Sequence, residues 1–415
     1  MKTDIYIVGV GMTPFGHHAN NSVGSLARAA MTNALSDAAV EQNTVQSIYF
    51  SNSTQGHMEG QDTIRGQVAL IPRSYAGTPI YNVEAACAGG SIAFHLAARH
   101  LRAGDGDLVA AVGAEKMISD DRKKMFSVFD GGWDVSKAQE ILHRFRSIGM
   151  SIEGASSHSE MPYSAIMEVY AAMCRDRMER FGVTQQQLAT VAAKNRKNAS
   201  LNPIAHFQKA YSIEEILASR LIVFPLTLLM CSPISDGAAA ILLTTEQGLT
   251  KYGIDRRRAV RVMASVVQSG GERAPDDFHH QVTCNTAREA YELAALDPDD
   301  MDLAEVHDAA AMGEIIQSEN LGFCPIGEGG DLALSGATGP SGRIPVNPSG
   351  GLEGRGHPIG ATGLAQIHEI VTQLRGEAGK RQVENARHAI QENGGGIYGL
   401  EEAVAHVGIY RAPNT

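Results

Sequence analysis

The sequence predicts an α/β fold made of two similar halves, on three observations. Short apolar runs of strand character alternate with helical patterns along most of the 415 residues, as expected of strands covered by helices. Two segments repeat: Leu101-Arg102-Ala103-Gly104-Asp105-Gly106 ends one buried helix, and Leu374-Arg375-Gly376-Glu377-Ala378-Gly379 ends another. Each helix follows a glycine-rich turn, one carrying Cys87 and the other preceded by His357, and each leads into a candidate strand. Halves built alike would aim a reactive residue near a helix N-terminus at one shared site.

The elements follow in order. Ile5–Val10 is an apolar run that reads as the first strand, and Val23–Ala38 repeats apolar residues at helical spacing. Ser47–Ser51 is a second strand, Ile92–Arg102 a strongly apolar helix, and Leu108–Val112 a further strand. Residues 119–215 change in texture: they are polar, rich in Met, Ser, Lys and Arg, and hold the only tryptophan, Trp133. Helical candidates there are Ser164–Arg180 and Ser212–Ser219. Strand patterns resume at Ala238–Thr244 and Val260–Ser265, and helical ones at Thr286–Leu293 and Gly363–Leu374. The predicted organisation is 1–118 plus 216–255 as the first half, 119–215 as an insertion, and 256–415 as the second half.

Composition narrows the function. A hydrophobic content of 43% with 20% charged residues is that of a globular protein with room for large cores. The net charge of −11, with no basic run, argues against nucleic-acid binding. Five unevenly spaced cysteines do not form a disulfide framework and suit a reducing, cytoplasmic setting. Cys174, Cys284 and Cys324 lack paired ligand spacing, so no metal is expected; Cys231 sits in a small-residue turn and reads as structural. The apolar run after Met1-Lys2-Thr3-Asp4 is too short for a signal peptide, and Ala412-Pro413-Asn414-Thr415 is not a peroxisomal address. The longest apolar run, Leu221 to Met230, is interrupted by Pro225 and too short to span a bilayer. Gly9-Val10-Gly11 has its next glycine at Gly16, which fails the dinucleotide spacing.

Two motifs carry chemistry. In Asn347-Pro348-Ser349-Gly350-Gly351-Leu352-Glu353-Gly354-Arg355-Gly356-His357-Pro358-Ile359-Gly360-Ala361-Thr362-Gly363 one histidine is embedded in glycine. Such a loop either brings backbone close to a ligand, with His357 as general acid/base, or is a flexible surface segment. In Asn82-Val83-Glu84-Ala85-Ala86-Cys87-Ala88-Gly89-Gly90-Ser91, Cys87 stands near the start of a helix. Exposed N–H groups and the helix dipole there favour a thiolate; the alternative is a small buried hydrophobe, which would have no need of the glycines.

In these segments the chain resembles the thiolase superfamily, specifically the sterol-carrier-protein-type thiolases, and the resemblance covers essentially its full length. The resemblance extends to Cys231-Ser232-Pro233-Ile234-Ser235-Asp236-Gly237-Ala238, the box Glu305-Val306-His307-Asp308, the stretch Gly376-Glu377-Ala378-Gly379-Lys380-Arg381-Gln382-Val383, and the run Gly394-Gly395-Gly396. It implies α-β-α-β-α layers from two stacked halves, with 119–215 as a loop domain over the acyl-CoA. It implies acyl-CoA and CoA as substrates, with no permanently bound cofactor, and a homodimer. Cys87 would take the acyl group, and His357 would accept the thiol proton or stand beside the sulfur as its ion-pair partner. Cys87 and Gly394 would supply an oxyanion hole and His307 a second one, with Asn347, Gly356 and Asp308 at oxyanion or substrate-binding positions. For Asp308 a purely structural hydrogen-bond role is equally open. Arg196 and Lys197, in Lys194-Asn195-Arg196-Lys197-Asn198, would meet CoA phosphates or lie on a solvated helix face.

The chain departs from the family at the second cysteine. Thiolases carry an acid/base cysteine either in a Cys-x-Gly motif, where Glu392 stands here, or in a His-Asp-Cys-Phe box, where Ala309 stands. Glu392 either takes over proton transfer or faces solvent. His57, in a stretch comparable to one in relatives that acylate phenolic carbons, is a further candidate, or else a surface or dimer histidine. Some prokaryotic relatives without the cysteine work with a small OB-fold, zinc-ribbon partner. The expected activity is acyl-CoA C-acyl transfer: thiolytic cleavage of a 3-oxoacyl-CoA, or the reverse Claisen condensation. Aryl acylation or retro-aldol cleavage on the same fold, and a non-catalytic lipid carrier, are the alternatives.

Overall fold

The computed structural model describes residues 3–73 and 75–413. Met1, Lys2, Ser74, Asn414 and Thr415 lie outside them, so the leader and C-terminal address readings rest partly on residues outside the description. The strands are β1 (Ile5–Met12), β2 (Ile48–Ser51), β3 (Ile80–Val83), β4 (Leu108–Glu115), β5 (Leu221–Val223), β6 (Leu226–Thr227), β7 (Gly237–Thr245), β8 (Val260–Ser269), β9 (Leu303–Glu305), β10 (His388–Tyr398) and β11 (Glu401–Arg411). β5 and β6 form a small separate hairpin, and the other nine hydrogen-bond in the order β3-β2-β4-β7-β1-β8-β11-β10-β9.

That order contains the repeat. Outward from the β1/β8 seam, the first half runs β1, β7, β4, β2, β3 and the second runs β8, β11, β10, β9. A parallel bridge from Ala304 to Val346 stands where the second half would have its fifth strand. The seam is short, pairing only Tyr6 with Arg261 and Ile7 with Val260.

Strand alternation sorts side chains into the layers between which the halves stack. On one face of the first half, Tyr6, Val8, Ala110, Val112 and Leu242 pack under the Val23–Ala38 helix. Ser22 caps that helix in a reciprocal pair with Ser25, and its eight buried residues repeat at the spacing of one face. On the other face, Ile5, Ile7, Val109 and Ile241 meet two central helices, Gly89–Ala103 and Thr362–Leu374. The second half closes the stack, with Ile390, Val407 and Ile409 against the Val282–Ala294 helix. The central helices approach too closely for side chains at the crossing. A Cβ at Gly363 would lie 2.0 Å from Ser91 Oγ, and one at Gly90 would lie 2.7 Å from the Gly360 carbonyl oxygen.

The insertion forms helices at Arg122–Ser127, Ala138–Ser147, Ile166–Phe181, Gln185–Ser200 and Ile213–Leu217. Its apolar residues Ala171, Cys174, Leu188 and Val191 share a core with Ile216, Ile222, Leu226 and Met230. The same core takes in Ala310, Met312 and Ile315 of the second half, so residues 216–231 pack between the insertion and that half. No helix among the described residues is long and apolar enough to cross a membrane.

Candidate active site

Cys87 lies in a single 3-10 turn, Ala86–Ala88, at the entrance to the Gly89–Ala103 helix. The preceding Ala86 is held at φ 47°, a left-handed conformation costly for a residue with a Cβ. Neighbours secure it: Ala86 N donates to Glu84 Oε1 at 2.7 Å and Ser53 Oγ donates to Ala86 O at 3.3 Å. The glycine run of β10 passes directly over this turn, where a Cβ at Gly395 would lie 2.3 Å from Ala85 O. The thiol is half-buried on a cavity wall.

His357 approaches Cys87 from the second half, its ring nitrogen within 4.8 Å of the sulfur. Gly356 makes the turn at φ 109°, with the Ser235 hydroxyl where a side chain would go. Thr362 Oγ1 donates to Pro358 O at 2.9 Å, so at 2.6 Å from His357 Nδ1 it must accept. The proton therefore sits on Nδ1, and the lone pair of Nε2 is left free to take another. Burial, the His307 charge and Arg355 together push the His357 pKa well below the usual histidine value.

The box around His307 anchors that loop. Glu305 accepts from Ser349 N at 3.0 Å and pairs with Arg355 at 3.2 Å; Asp308 accepts from Leu352 N at 2.7 Å; Asn347 Oδ1 accepts from Val306 N at 2.9 Å. Asn347 and Asp308 are thus fully buried braces that fix His307 and His357 relative to each other. Asn195 Nδ2 lies 3.0 Å from each of the Asp308, Glu314 and Glu353 carboxyls. Burial and then Glu314 push Asp308 up to about 8.

Ligand atoms of Cys87, His307 and His357 all lie within 4.8 Å of one another, and the two imidazole centroids are 5.4 Å apart. Burial opposes a charge on His307, but hydrogen bonds and the charges of Cys87 and Glu402 outweigh it and raise its pKa well above the usual value. The two imidazoles beside one sulfur are thus pushed in opposite directions, His357 toward the neutral form and His307, when Cys87 and Glu402 are charged, toward the protonated form, as suits a base and an electrophile respectively. The trio also has the donors of a zinc site with one open position, and metal binding there would occupy the sulfur that acyl transfer needs.

The cavity that Cys87 and His307 line measures about 680 Å³. Ile148, Ile166 and Met173 wall it from the insertion, and Ile397 and Leu400 from the final hairpin. Arg144, Arg180 and Arg273 stand on it too. Sequence reasoning missed two residues that face it, Tyr170 and Glu402. Burial, and then the Cys87 charge, push the Tyr170 phenol well up.

The remaining candidates are distributed as follows. Glu392 is buried on β10, not at the cavity wall, and its Oε2 accepts from His307 N at 2.9 Å. Gly394 lies one residue before the glycine over the Cys87 turn. His57 is exposed beyond the cavity wall, with Nε2 3.2 Å from Lys124 O and 3.1 Å from Ser127 Oγ. Arg196 points inward, stacked 4.2 Å over the Phe207 ring, while its neighbour Lys197 is exposed; neither reaches the cavity. The basic cluster divides this way because the Gln185–Ser200 helix buries one flank against the second half.

Comparison with known proteins gives the family and the fold. Residues 5–217 match the thiolase N-terminal domain and residues 266–407 the thiolase C-terminal domain-like family. An acetyl-CoA acetyltransferase of Methanothermobacter thermautotrophicus is 38% identical over 97% of this chain and 99% of its own. Human sterol carrier protein 2 is 34% identical over 94% of this chain and 69% of its own. The benzoylsuccinyl-CoA thiolase subunit BbsB of Thauera aromatica is 35% identical over 92% of each. Among solved structures, the Ltp2-ChsH2(DUF35) aldolase superposes with a TM-score of 0.77 at 21% identity, covering 99% of this chain and 98% of that one. Human mitochondrial 3-ketoacyl-CoA thiolase does so with a TM-score of 0.71 at 17% identity, covering 99% of both.

Proposed function

The chain belongs to the thiolase family, and from that premise we propose that it is an acyl-CoA C-acyltransferase working through an acyl-Cys87 intermediate. The observation that carries this is the meeting of Cys87, His357 and His307 within 4.8 Å, with Cys87 and His307 on the cavity wall and His357 buried behind them.

His357 Nε2 takes the Cys87 proton, and the sulfur attacks the thioester carbonyl. The tetrahedral oxyanion is held by the N–H groups of Cys87 and Gly394, at about 3 kcal/mol per donor. The placing of the glycine run over the Cys87 turn supports that assignment. Collapse of the intermediate expels the CoA thiolate, which recovers the proton from His357. In the second half-reaction His307, paired with Glu402, donates a hydrogen bond to the enolate oxygen of the other acyl-CoA. A nucleophilic sulfur within reach of a neutral imidazole favours acyl transfer over cleavage that needs no nucleophile. The arginines on the cavity wall, rather than Arg196 or Lys197, are the cations for the CoA phosphates.

The finer assignments are part of the same proposal. The work is cytoplasmic acyl-CoA metabolism of the fatty acid β-oxidation type, consistent with free cysteines. Pairing into a dimer uses the β3 edge, where Tyr81, Ile64 and Val68 are exposed. A small OB-fold, zinc-ribbon partner is in keeping with the DUF35-containing complex among the structural neighbours.

Incubation with acetyl-CoA and longer acyl-CoAs, read by intact mass, tests the reading. Addition of one acyl group to the wild type and none to Cys87→Ala is expected. Absence of any adduct across chain lengths would overturn it.

A further inference from the structure

The chain lacks both acid/base cysteines of its family, so something else must move the substrate α-proton. Glu392, the residue at one of those positions, is ill placed. It is fully buried, and its Oε2 is held by the His307 backbone N–H at 2.9 Å, on the main-chain side of His307. Ala309, at the other, offers no titratable group.

Glu402 is on the wall, at the start of β11. Both its oxygens are fixed: Thr283 Oγ1 donates to Oε2 at 3.0 Å and Gln317 Nε2 donates to Oε1 at 3.0 Å. Oε1 stands 3.5 Å from His307 Nδ1, while His307 shares the 4.8 Å cluster with Cys87. The carboxyl occupies space that only a glycine at 394 leaves free, since a Cβ there would lie 2.0 Å from Oε1. The other acids on the wall are committed elsewhere. Glu84 holds Ala86 N, Asp176 pairs with Arg180, Glu179 accepts from Ser151, and Glu401 pairs with Arg273 and accepts from Val282 N.

We propose that Glu402 is the acid/base for the α-carbon of the acyl-CoA, with His307 beside it receiving the enolate oxygen; this rests on the acyl-Cys87 reading above. In condensation the α-C–H bond breaks, its proton passes to a Glu402 oxygen, and its electron pair moves onto the thioester oxygen as an enolate hydrogen-bonded to His307. The enolate carbon then attacks the acyl carbonyl on Cys87. A C–C bond forms, the C–S bond to Cys87 breaks, the sulfur leaves as thiolate, and Glu402 returns its proton to water in the cavity. Thiolysis reverses each step, and Glu402 then protonates the departing enolate carbon.

The test separates the half-reactions in Glu402→Gln, which keeps the shape and the acceptor for Thr283 or Gln317. With acetyl-CoA, the acyl-Cys87 adduct is expected within about threefold of wild type. Deuterium uptake from D2O at the α-carbon of acetyl-CoA, and acetoacetyl-CoA formation, are expected to fall roughly 10²–10⁴-fold. Glu402→Asp, which retains a carboxyl, is expected to restore part of the exchange with a displaced pH profile. Exchange at the wild-type rate in Glu402→Gln overturns the proposal. So does parallel loss of adduct and exchange in a variant of unchanged thermal midpoint, since Glu402 would then act only through the Cys87–His307 pair. A wild type that exchanges deuterium through Glu402 but forms no adduct overturns the acyl-Cys87 reading and leaves the base in place.

Discussion

Glu115 is a carboxyl on which the geometry of the two halves depends, and its removal has a worked consequence. It lies fully buried at the end of β4. It accepts from Ser53 N at 2.6 Å, Thr54 N at 3.2 Å and Asn52 Nδ2 at 3.0 Å, and from the Thr54 hydroxyl, all in the first half. From the second half it accepts from Gly360 N at 3.1 Å, three residues after His357. Burial outweighs these donors and raises its pKa from 4.5 to about 7. The unfolded chain ionises Glu115 first, near 4.5, while the folded chain keeps the proton to about 7. Between those values the folded state binds more protons, so stability falls as pH rises through the window. The shift corresponds to about 3 kcal/mol. Glu115→Gln cannot titrate and loses that slope. Urea denaturation of both proteins from about pH 5 to about pH 8 is the assay. The stability difference, wild type minus variant, is expected to move against the wild type by about 2.5 kcal/mol between those limits, the rest of the shift having been lost below about pH 5. A difference that stays constant with pH would refute the assignment of a buried, proton-holding Glu115.

Three further outcomes follow from the same contacts. Asp308→Asn, which keeps an acceptor for Leu352 N, is expected to lose less than about 1 kcal/mol in denaturant midpoints, whereas Asp308→Ala orphans that N–H and loses about 1–3 kcal/mol together with acylation rate. Gly363→Ala drives a methyl into Ser91 Oγ and is expected to lower stability by about 1–3 kcal/mol in thermal scans, with Cys87 acylation slowed as the two halves part. His57→Ala is expected to leave the acylation rate within about twofold and stability within about 0.5 kcal/mol, because the ring is exposed and off the cavity wall.

The sequence was legible where one physical signal dominated. The Val23–Ala38 helix appears with the ends its apolar spacing assigned, because an amphipathic face against a sheet leaves little ambiguity. The glycine turns at Cys87 and His357 were equally readable, since their glycines answer backbone approaches that no side chain would fit. The Gln185–Ser200 helix was not seen because it buries Asn195, Arg196 and Asn198, so its inward flank looks polar. The Gly394–Gly396 run, a poor strand by composition, lies within an eleven-residue strand because its partner β11 and the Cys87 turn require bare backbone there. Glu402 carried no local mark at all. It joins the site only through the hairpin that returns β11 beside β10 and brings its carboxyl to His307.

Peptide mapping of the protein quenched after mixing with acetyl-CoA bears most directly on the central claim. Cys174 and Cys231 are buried, and burial pushes the Cys284 thiol up to about 11 and the Cys324 thiol up to about 12. The acyl group is predicted on the peptide containing Cys87 alone, and its appearance there is predicted to collapse in His357→Ala. An acyl group found on another cysteine, or acylation of Cys87 at an undiminished rate without His357, would contradict the account.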